Sequence, residues 1–316
     1  MKKILLSAKN RTKQAQNGHF IVPLQLLNDN EICTMKVTLI QMDITWGADG
    51  EYRGSLQRNQ ETAGRAMLSA EKSDLYVLPE MWNTGFVTVP ESVAEPEDGD
   101  TLLWMQQMAD RLDAAVAGSI AVREHDSAGG FRYRNRLYFV MPRRKDDATE
   151  HRTRDTTEEV NARWYDKHHL FTYGGEHLHY VAGSEQTTVE WRGVRFRLCT
   201  CYDLRFPLWL RCHDDYDALL CVASWPASRI HAWRILLQAR AIENQCYVLG
   251  VNRIGCDPIC QYIGGTAFVN PYGQMEACQE NKADVLTRDI DMDHLRTFRK
   301  KFPVLEDADD IGLLTL

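Results

Sequence analysis

Three residues able to do covalent chemistry stand where apolar runs end. Glu80 follows Asp74-Leu75-Tyr76-Val77-Leu78-Pro79, Lys167 follows Arg163-Trp164-Tyr165-Asp166, and Cys201 follows Val194-Arg195-Phe196-Arg197-Leu198-Cys199-Thr200. A carboxylate beside a thiol takes its proton, and an ammonium near both stabilises the thiolate and a developing oxyanion. Such a set attacks a carbonyl or nitrile carbon, expels ammonia or an amine, and hydrolyses the thioester that remains. Singly, each residue also has an ordinary reading. Glu80 could cap or pair at the surface, Lys167 could be a solvated edge residue, and Cys201 could be core packing. A Cys–His pair is the rival catalyst, with His168, His169, His177 and His179 as its candidates. They lie in a polar stretch after the Lys167 run, where histidines more often serve the loop.

The elements that must position these groups are legible from periodicity. Val194, Phe196 and Leu198 alternate with Arg195, Arg197 and Cys199, which predicts a strand with one face in a core. The chain then turns through Tyr202–Pro207, and Leu208-Trp209-Leu210-Arg211 reads as a short helix. Backbone N–H groups at such a turn, and the start of a helix, favour negative charge on the thiol. Before this, strands are expected over 36–43, 74–78, 115–123, 133–141 and 163–166, and helices over 55–72 and 100–113, the second capped by Asp100 or Thr101. After it come strands at 216–224, 246–252, 264–270 and 284–290. A clear helix spans 229–245, and a last one follows Asp291 or Asp293 to Lys301. Gly129-Gly130 and Asn270-Pro271-Tyr272-Gly273 read as turns, and 143–159 as a charged, solvated tract. Strands alternating with helices, and paired strands in the middle, predict a layered α/β sandwich in a single domain.

Composition narrows the function. The 316 residues are 44% hydrophobic, and 37 basic against 44 acidic side chains give a formal charge of −7. Nucleic acid is not the expected partner. No apolar run approaches the roughly 20 residues that span a bilayer, so no membrane is expected either. The nine cysteines, several within apolar strand-like runs, predict reduced thiols in a cytoplasmic protein. Cys256-Asp257-Pro258-Ile259-Cys260 lacks zinc spacing and a matching second pair, so no metal is expected. No phosphate-binding loop or dinucleotide fingerprint is present, and no cofactor is expected. Residues 1–34 are polar and weakly patterned, and a strand begins at Met35. They read as an N-terminal extension, with the functional domain over 35–316 and Met35 a candidate translation start.

At this point the residues resemble a known family. Leu-Pro-Glu80-Met-Trp-Asn-Thr-Gly-Phe, Tyr-Asp-Lys167-His-His-Leu-Phe and Cys201-Tyr-Asp-Leu-Arg-Phe-Pro are similar to the three signature segments of the nitrilase (carbon–nitrogen hydrolase) superfamily, in its order. Gly-Gly-Glu176-His-Leu-His-Tyr, Ala223-Ser-Trp-Pro and Gln238-Ala-Arg-Ala-Ile-Glu-Asn add to the likeness, which favours the omega-amidase branch. The resemblance implies a four-layer αββα sandwich that pairs into a homodimer through the helix after the nucleophile. It implies Glu80 as general base, Cys201 as nucleophile, and Lys167 with the Tyr202 backbone N–H as oxyanion stabilisers. It also implies Glu176 as a second glutamate that positions the lysine or substrate. The branch hydrolyses the terminal amide of alpha-keto acid monoamides such as alpha-ketoglutaramate. For such a substrate Arg205 is a candidate carboxylate partner, if it is not paired with Asp203 or with the dimer partner, and Phe86 and Trp225 are candidate pocket walls. A nitrilase, a carbamoylase or an aliphatic amidase with the same triad stays open, as does a silent dimeric binding module.

Overall fold

The central strands of this chain are apolar on both faces, so each must be covered twice. The structure, a computed structural model, describes residues 34–47, 52–126, 129–143 and 160–309. The N-terminal extension and nearly all of the charged tract lie outside these residues. In chain order the elements are β1 (Thr34–Gln41), α1 (Tyr52–Ser69), β2 (Leu75–Val77), β3 (Glu95–Pro96), α2 (Asp100–Leu112), β4 (Ala115–His125), β5 (Phe131–Val140) and β6 (Ala162–Asp166). There follow β7 (Thr188–Trp191), β8 (Val194–Thr200), β9 (Ala218–Ala223), α3 (Ile230–Asn244), β10 (Tyr247–Asn252), β11 (Ile254–Cys256) and β12 (Gln261–Ile263). The chain ends with β13 (Ala267–Val269), β14 (Met275–Ala277), β15 (Asp284–Asp291) and α4 (Met292–Lys301).

One sheet runs β15-β1-β2-β4-β5-β6, with β3 beside β4, and the other runs β14-β13-β10-β9-β8-β7. Each has a parallel core, β1-β2-β4 in the first and β8-β9-β10 in the second. Alternation then divides the side chains. Val37, Leu39, Val77, Ala117 and Phe139 of the first sheet meet Phe196, Leu198, Leu220, Val222 and Leu249 of the second in one buried layer. The Phe139 and Phe196 rings, 5.7 Å apart, join the two sheets at its centre. Each such ring stabilises the layer by about 1.5–3 kcal/mol through burial. On the outer side of the first sheet, Tyr76, Leu78, Val116 and Tyr138 pack against Met67 of α1 and Met105 and Ala109 of α2. Outside the second, Cys199, Leu219, Cys221 and Val248 pack against Trp233, Leu237 and Ala241, the i, i+4, i+8 stripe of α3. The result is the expected αββα sandwich, with no helix among the described residues long and apolar enough to cross a membrane.

Several local expectations are corrected. The helical segment after Cys201 is a 3₁₀ turn over Cys201–Arg205, while Leu208–Leu210 form a plain turn. Pro207 removes a backbone donor there and disfavours helix in Phe206 before it. Helix α2 is capped by Gly99, and the Glu95 carboxylate accepts the Thr101 N–H at 2.8 Å, so a distant acid serves the helix start. The Cys256–Cys260 stretch closes the β11–β12 hairpin, where Asp257 accepts from the Ile259 and Cys260 N–H groups. Asp291 caps α4 as expected, accepting from His294 N–H at 2.8 Å.

Candidate active site

The parallel strands of both sheets direct their carboxyl ends to one edge, which is where α/β sheets assemble sites. Glu80 comes just after β2, Lys167 directly after β6, and Cys201 directly after β8. The first two are linked: Lys167 Nζ lies 2.9 Å from Glu80 Oε1 and 2.8 Å from Glu176 Oε2. Lys167 is 1% exposed and both glutamates are 0%, so the cluster sits in a dry setting where charges interact strongly. Gly183 lets the chain pass it: a Cβ there would meet the Asp166 carbonyl oxygen at 2.2 Å.

Counting acceptor sites separates the two carboxylates. Glu176 receives Asn135 Nδ2 at 3.1 Å and Lys167 on Oε1, and Lys167 and the Phe171 N–H (2.6 Å) on Oε2. A carboxylate offers about four such sites, so Glu176 is saturated and suited to hold rather than to transfer a proton. Glu80 receives Asn135 Nδ2 (2.8 Å) and Lys167 on Oε1, but only the Ser224 N–H (2.8 Å) on Oε2. One lone pair of Glu80 Oε2 is left, and it is the position for a base. Lys167 directs its three N–H groups to Glu80 Oε1 and to both oxygens of Glu176, so its ammonium is fixed in place as the positive charge of the site.

Cys201 adopts φ +48°, a left-handed conformation that a residue with a Cβ takes at a cost of about 1–2 kcal/mol. Asp203 braces this elbow. Its Oδ2 accepts Thr200 N–H (3.0 Å) and Tyr165 O–H (2.8 Å), and its Oδ1 accepts His169 N–H (2.8 Å). Asp203→Ala strands these buried donors, and an unfolding free energy lower by about 2–4 kcal/mol is expected in urea denaturation, with turnover falling alongside.

The thiol itself differs from the expected thiolate. Burial and the Glu80 charge push the Cys201 thiol well up, and the Lys167 ammonium only partly offsets them. The resting group is therefore S–H, and its proton must leave during attack. Burial works against the Lys167 charge too, but Glu176 and Glu80 outweigh it and hold the ammonium well above the ordinary lysine range. Burial also raises the Cys199 and Cys246 thiols and the Tyr165, Tyr180 and Tyr216 phenols. For every one of these groups the folded state keeps a proton that the unfolded chain gives up sooner. Their stabilisation is complete below the ordinary thiol value of about 8.5 and is lost as pH climbs toward the raised values. Melting temperature is expected to fall steadily between pH 8.5 and 10.5, measured by scanning calorimetry; a flat profile would contradict the shifts.

His168 Nδ1 bonds the Gly183 carbonyl and its ring stacks on Trp209; His169 Nδ1 bonds Asp203 and its ring stacks on Phe206. His177 is exposed and His179 faces Glu91, so the histidines are tied elsewhere. The half-buried Phe86 ring lies 5.4 Å from Lys167 Nζ. Trp225 is buried against Trp233. Arg205 is not paired with Asp203, whose oxygens are occupied; its guanidinium lies 4.8 Å over Trp225. The Tyr202 N–H belongs to the first turn of the 3₁₀ segment, where donors lack an internal acceptor. Sequence reasoning missed Asn135, Ser224 and the brace role of Asp203. Asn135 lies in Arg134-Asn135-Arg136, which reads as solvated strand and gives no local signal.

A four-layer sandwich with a carboxylate, ammonium and thiol at its strand ends has the architecture of the nitrilase-fold hydrolases. The carbon–nitrogen hydrolase family model matches residues 36–300. The chain is 38% identical over 283 residues to an omega-amidase YafV of Yersinia enterocolitica, covering 89% of this chain and 99% of that protein. It is 31% identical over 279 residues to a 2-oxoglutaramate amidase of Bacillus subtilis, covering 86% and 96%. A CN-hydrolase superfamily protein of Xanthomonas campestris, solved with an arsenic adduct in its active site, superposes with a TM-score of 0.73 at 35% identity, covering 88% of this chain and 98% of that one. The chain belongs to the carbon–nitrogen hydrolase family and is an enzyme of that class.

Proposed function

We propose that this enzyme is an omega-amidase, hydrolysing the terminal amide of alpha-keto acid monoamides such as alpha-ketoglutaramate and alpha-ketosuccinamate. The observation that carries the reading is the unequal filling of the two glutamates around Lys167, which leaves one base position beside the thiol. Glu80 Oε2 takes the Cys201 proton as sulfur attacks the amide carbon. The oxyanion is stabilised by the Lys167 ammonium charge and by the Tyr202 backbone N–H. Glu80 then returns the proton to nitrogen, the carbon–nitrogen bond breaks, and ammonia leaves a thioester on Cys201. Water gives a proton to Glu80 as it attacks that thioester, and the keto diacid departs as Glu80 reprotonates the sulfur. Glu176 and Asn135 fix the positions of Lys167 and Glu80 throughout.

The substrate class rests on similarity to the omega-amidase and 2-oxoglutaramate amidase above. Two copies pair through α3, where Ile235 and Ile242 are 50% and 55% exposed, and the enzyme works with reduced thiols in the cytoplasm. Ammonia release from alpha-ketoglutaramate by the purified protein tests the reading. Release from a simple nitrile or carbamoyl compound, with none from the keto acid amides, would move it elsewhere in the family.

A further inference from the structure

Among the described residues, most arginines that leave the solvent find an acid. Arg136 pairs with Asp166, Arg195 with Asp217, Arg197 with Asp215, and Arg240 with Glu243. The half-buried Arg229 does not, among the described residues. Its guanidinium carbon lies 5.3 Å from the centre of the Phe171 ring and 5.9 Å from that of Tyr173. Both rings belong to the loop that carries Glu176. The Phe171 N–H donates to Glu176, and the Phe171 ring packs edge-on against Tyr202, the residue after Cys201, at 5.3 Å. Tyr173 is 86% exposed, so this cation stands at the rim of the candidate site and not in the core. Its backbone is fixed by a 3₁₀ turn directly beyond β9: the Arg229 N–H donates to the Pro226 carbonyl at 3.0 Å, and its own carbonyl accepts the Trp225 indole N–H at 2.8 Å.

A guanidinium that packs against aromatic rings and has no carboxylate on it keeps N–H groups available. Those N–H groups form the fork which matches a carboxylate in two parallel hydrogen bonds. The interior of the site holds two carboxylates against one ammonium, so an anionic substrate enters most favourably with its charge kept at a distance from them. A cation at the rim without an acid supplies the place for it. Arg205, whose guanidinium lies over the Trp225 ring, adds to the positive field but packs on a different ring.

The geometry points to Arg229 as the residue that receives the carboxylate of the substrate. The enzyme thereby selects short amides with an anionic far end over neutral amides of the same length. This rests on the amidase reading above. The test compares kcat/KM for alpha-ketoglutaramate with that for 4-oxopentanamide, in which a methyl group replaces the carboxylate, in wild type, Arg229→Met, Arg229→Lys and Arg205→Met. The ratio of the two is expected to fall about 10- to 100-fold in Arg229→Met and to recover in part in Arg229→Lys. An unchanged ratio in Arg229→Met, or a fall confined to Arg205→Met, overturns the assignment. A second readout needs no turnover: glutarate should slow iodoacetamide labelling of Cys201 in wild type and lose that effect in Arg229→Met. Protection that persists in Arg229→Met overturns the assignment whether or not alpha-ketoglutaramate is the substrate, whereas failure to release ammonia from that amide counts only against the substrate reading.

Discussion

Cys201→Ala is expected to reduce ammonia release to background, a loss of at least about 10⁴-fold, while the protein unfolds within about 1 kcal/mol of wild type. The candidate mechanism needs a sulfur that leaves the strand end and reaches the base position of Glu80. Cys199 and Cys221, the nearest thiols along the two adjoining strands, are fully buried against α3 and cannot substitute. The stability cost is small because only one sulfur atom is removed, and Ala keeps the Cβ and so leaves the backbone of the elbow as it is. Cys201→Ser should be nearly as inactive, since a hydroxyl gives up its proton to a carboxylate far less readily than a thiol does. Ammonia assays beside thermal melts check both halves. Wild-type-like turnover in either variant would rule out the thiol as nucleophile.

Lys167→Met is the second large effect, and it strikes folding as well as turnover. Removing the ammonium leaves Glu80 and Glu176, both 0% exposed, facing each other across Asn135 without a counter-charge. Breaking a buried ion set in this way costs about 3–5 kcal/mol, mostly the penalty of the charges left behind. Urea denaturation should therefore show Lys167→Met far less stable than Cys201→Ala. Adding Glu176→Gln should return part of that stability and none of the activity, because the charge that stabilises the oxyanion is still missing. If Lys167→Met unfolds at the wild-type urea concentration, the lysine is not the counter-charge described above.

The sandwich was legible because its elements advertise themselves. Leu75-Tyr76-Val77 is apolar on both faces and Val194–Leu198 alternates, so each declares how it is covered; Trp233, Leu237 and Ala241 declare a helix by their spacing. Glu80, Lys167 and Cys201 were legible as polar residues terminating such runs. What stayed hidden depends on long-range pairing. Asn135 matters because β5 lies beside β6, which places its amide between two glutamates distant in the sequence. Ser224 acts through a backbone N–H, which no side-chain pattern reports. The thiol's raised proton affinity is a sum over burial and neighbours, and the local turn alone suggested the opposite sign. The elbow at Cys201 has a backbone conformation that its residue type does not announce, and the helix expected at Leu208–Arg211 was displaced by Pro207.

The division of the site between the sheets also sets a clock. Glu80, Asn135 and Lys167 are delivered by the first sheet, Cys201 and Ser224 by the second, and the first sheet is complete only when β15, near the end of the chain, pairs with β1 as an edge strand. Pairings of such high sequence separation form late and slowly. A nascent or refolding chain can therefore hold most of its strands and helices and still have no nucleophile opposite its base. Catalytic competence arrives at the docking of the two halves, so the return of turnover after denaturation times that single event, separately from the earlier growth of secondary structure.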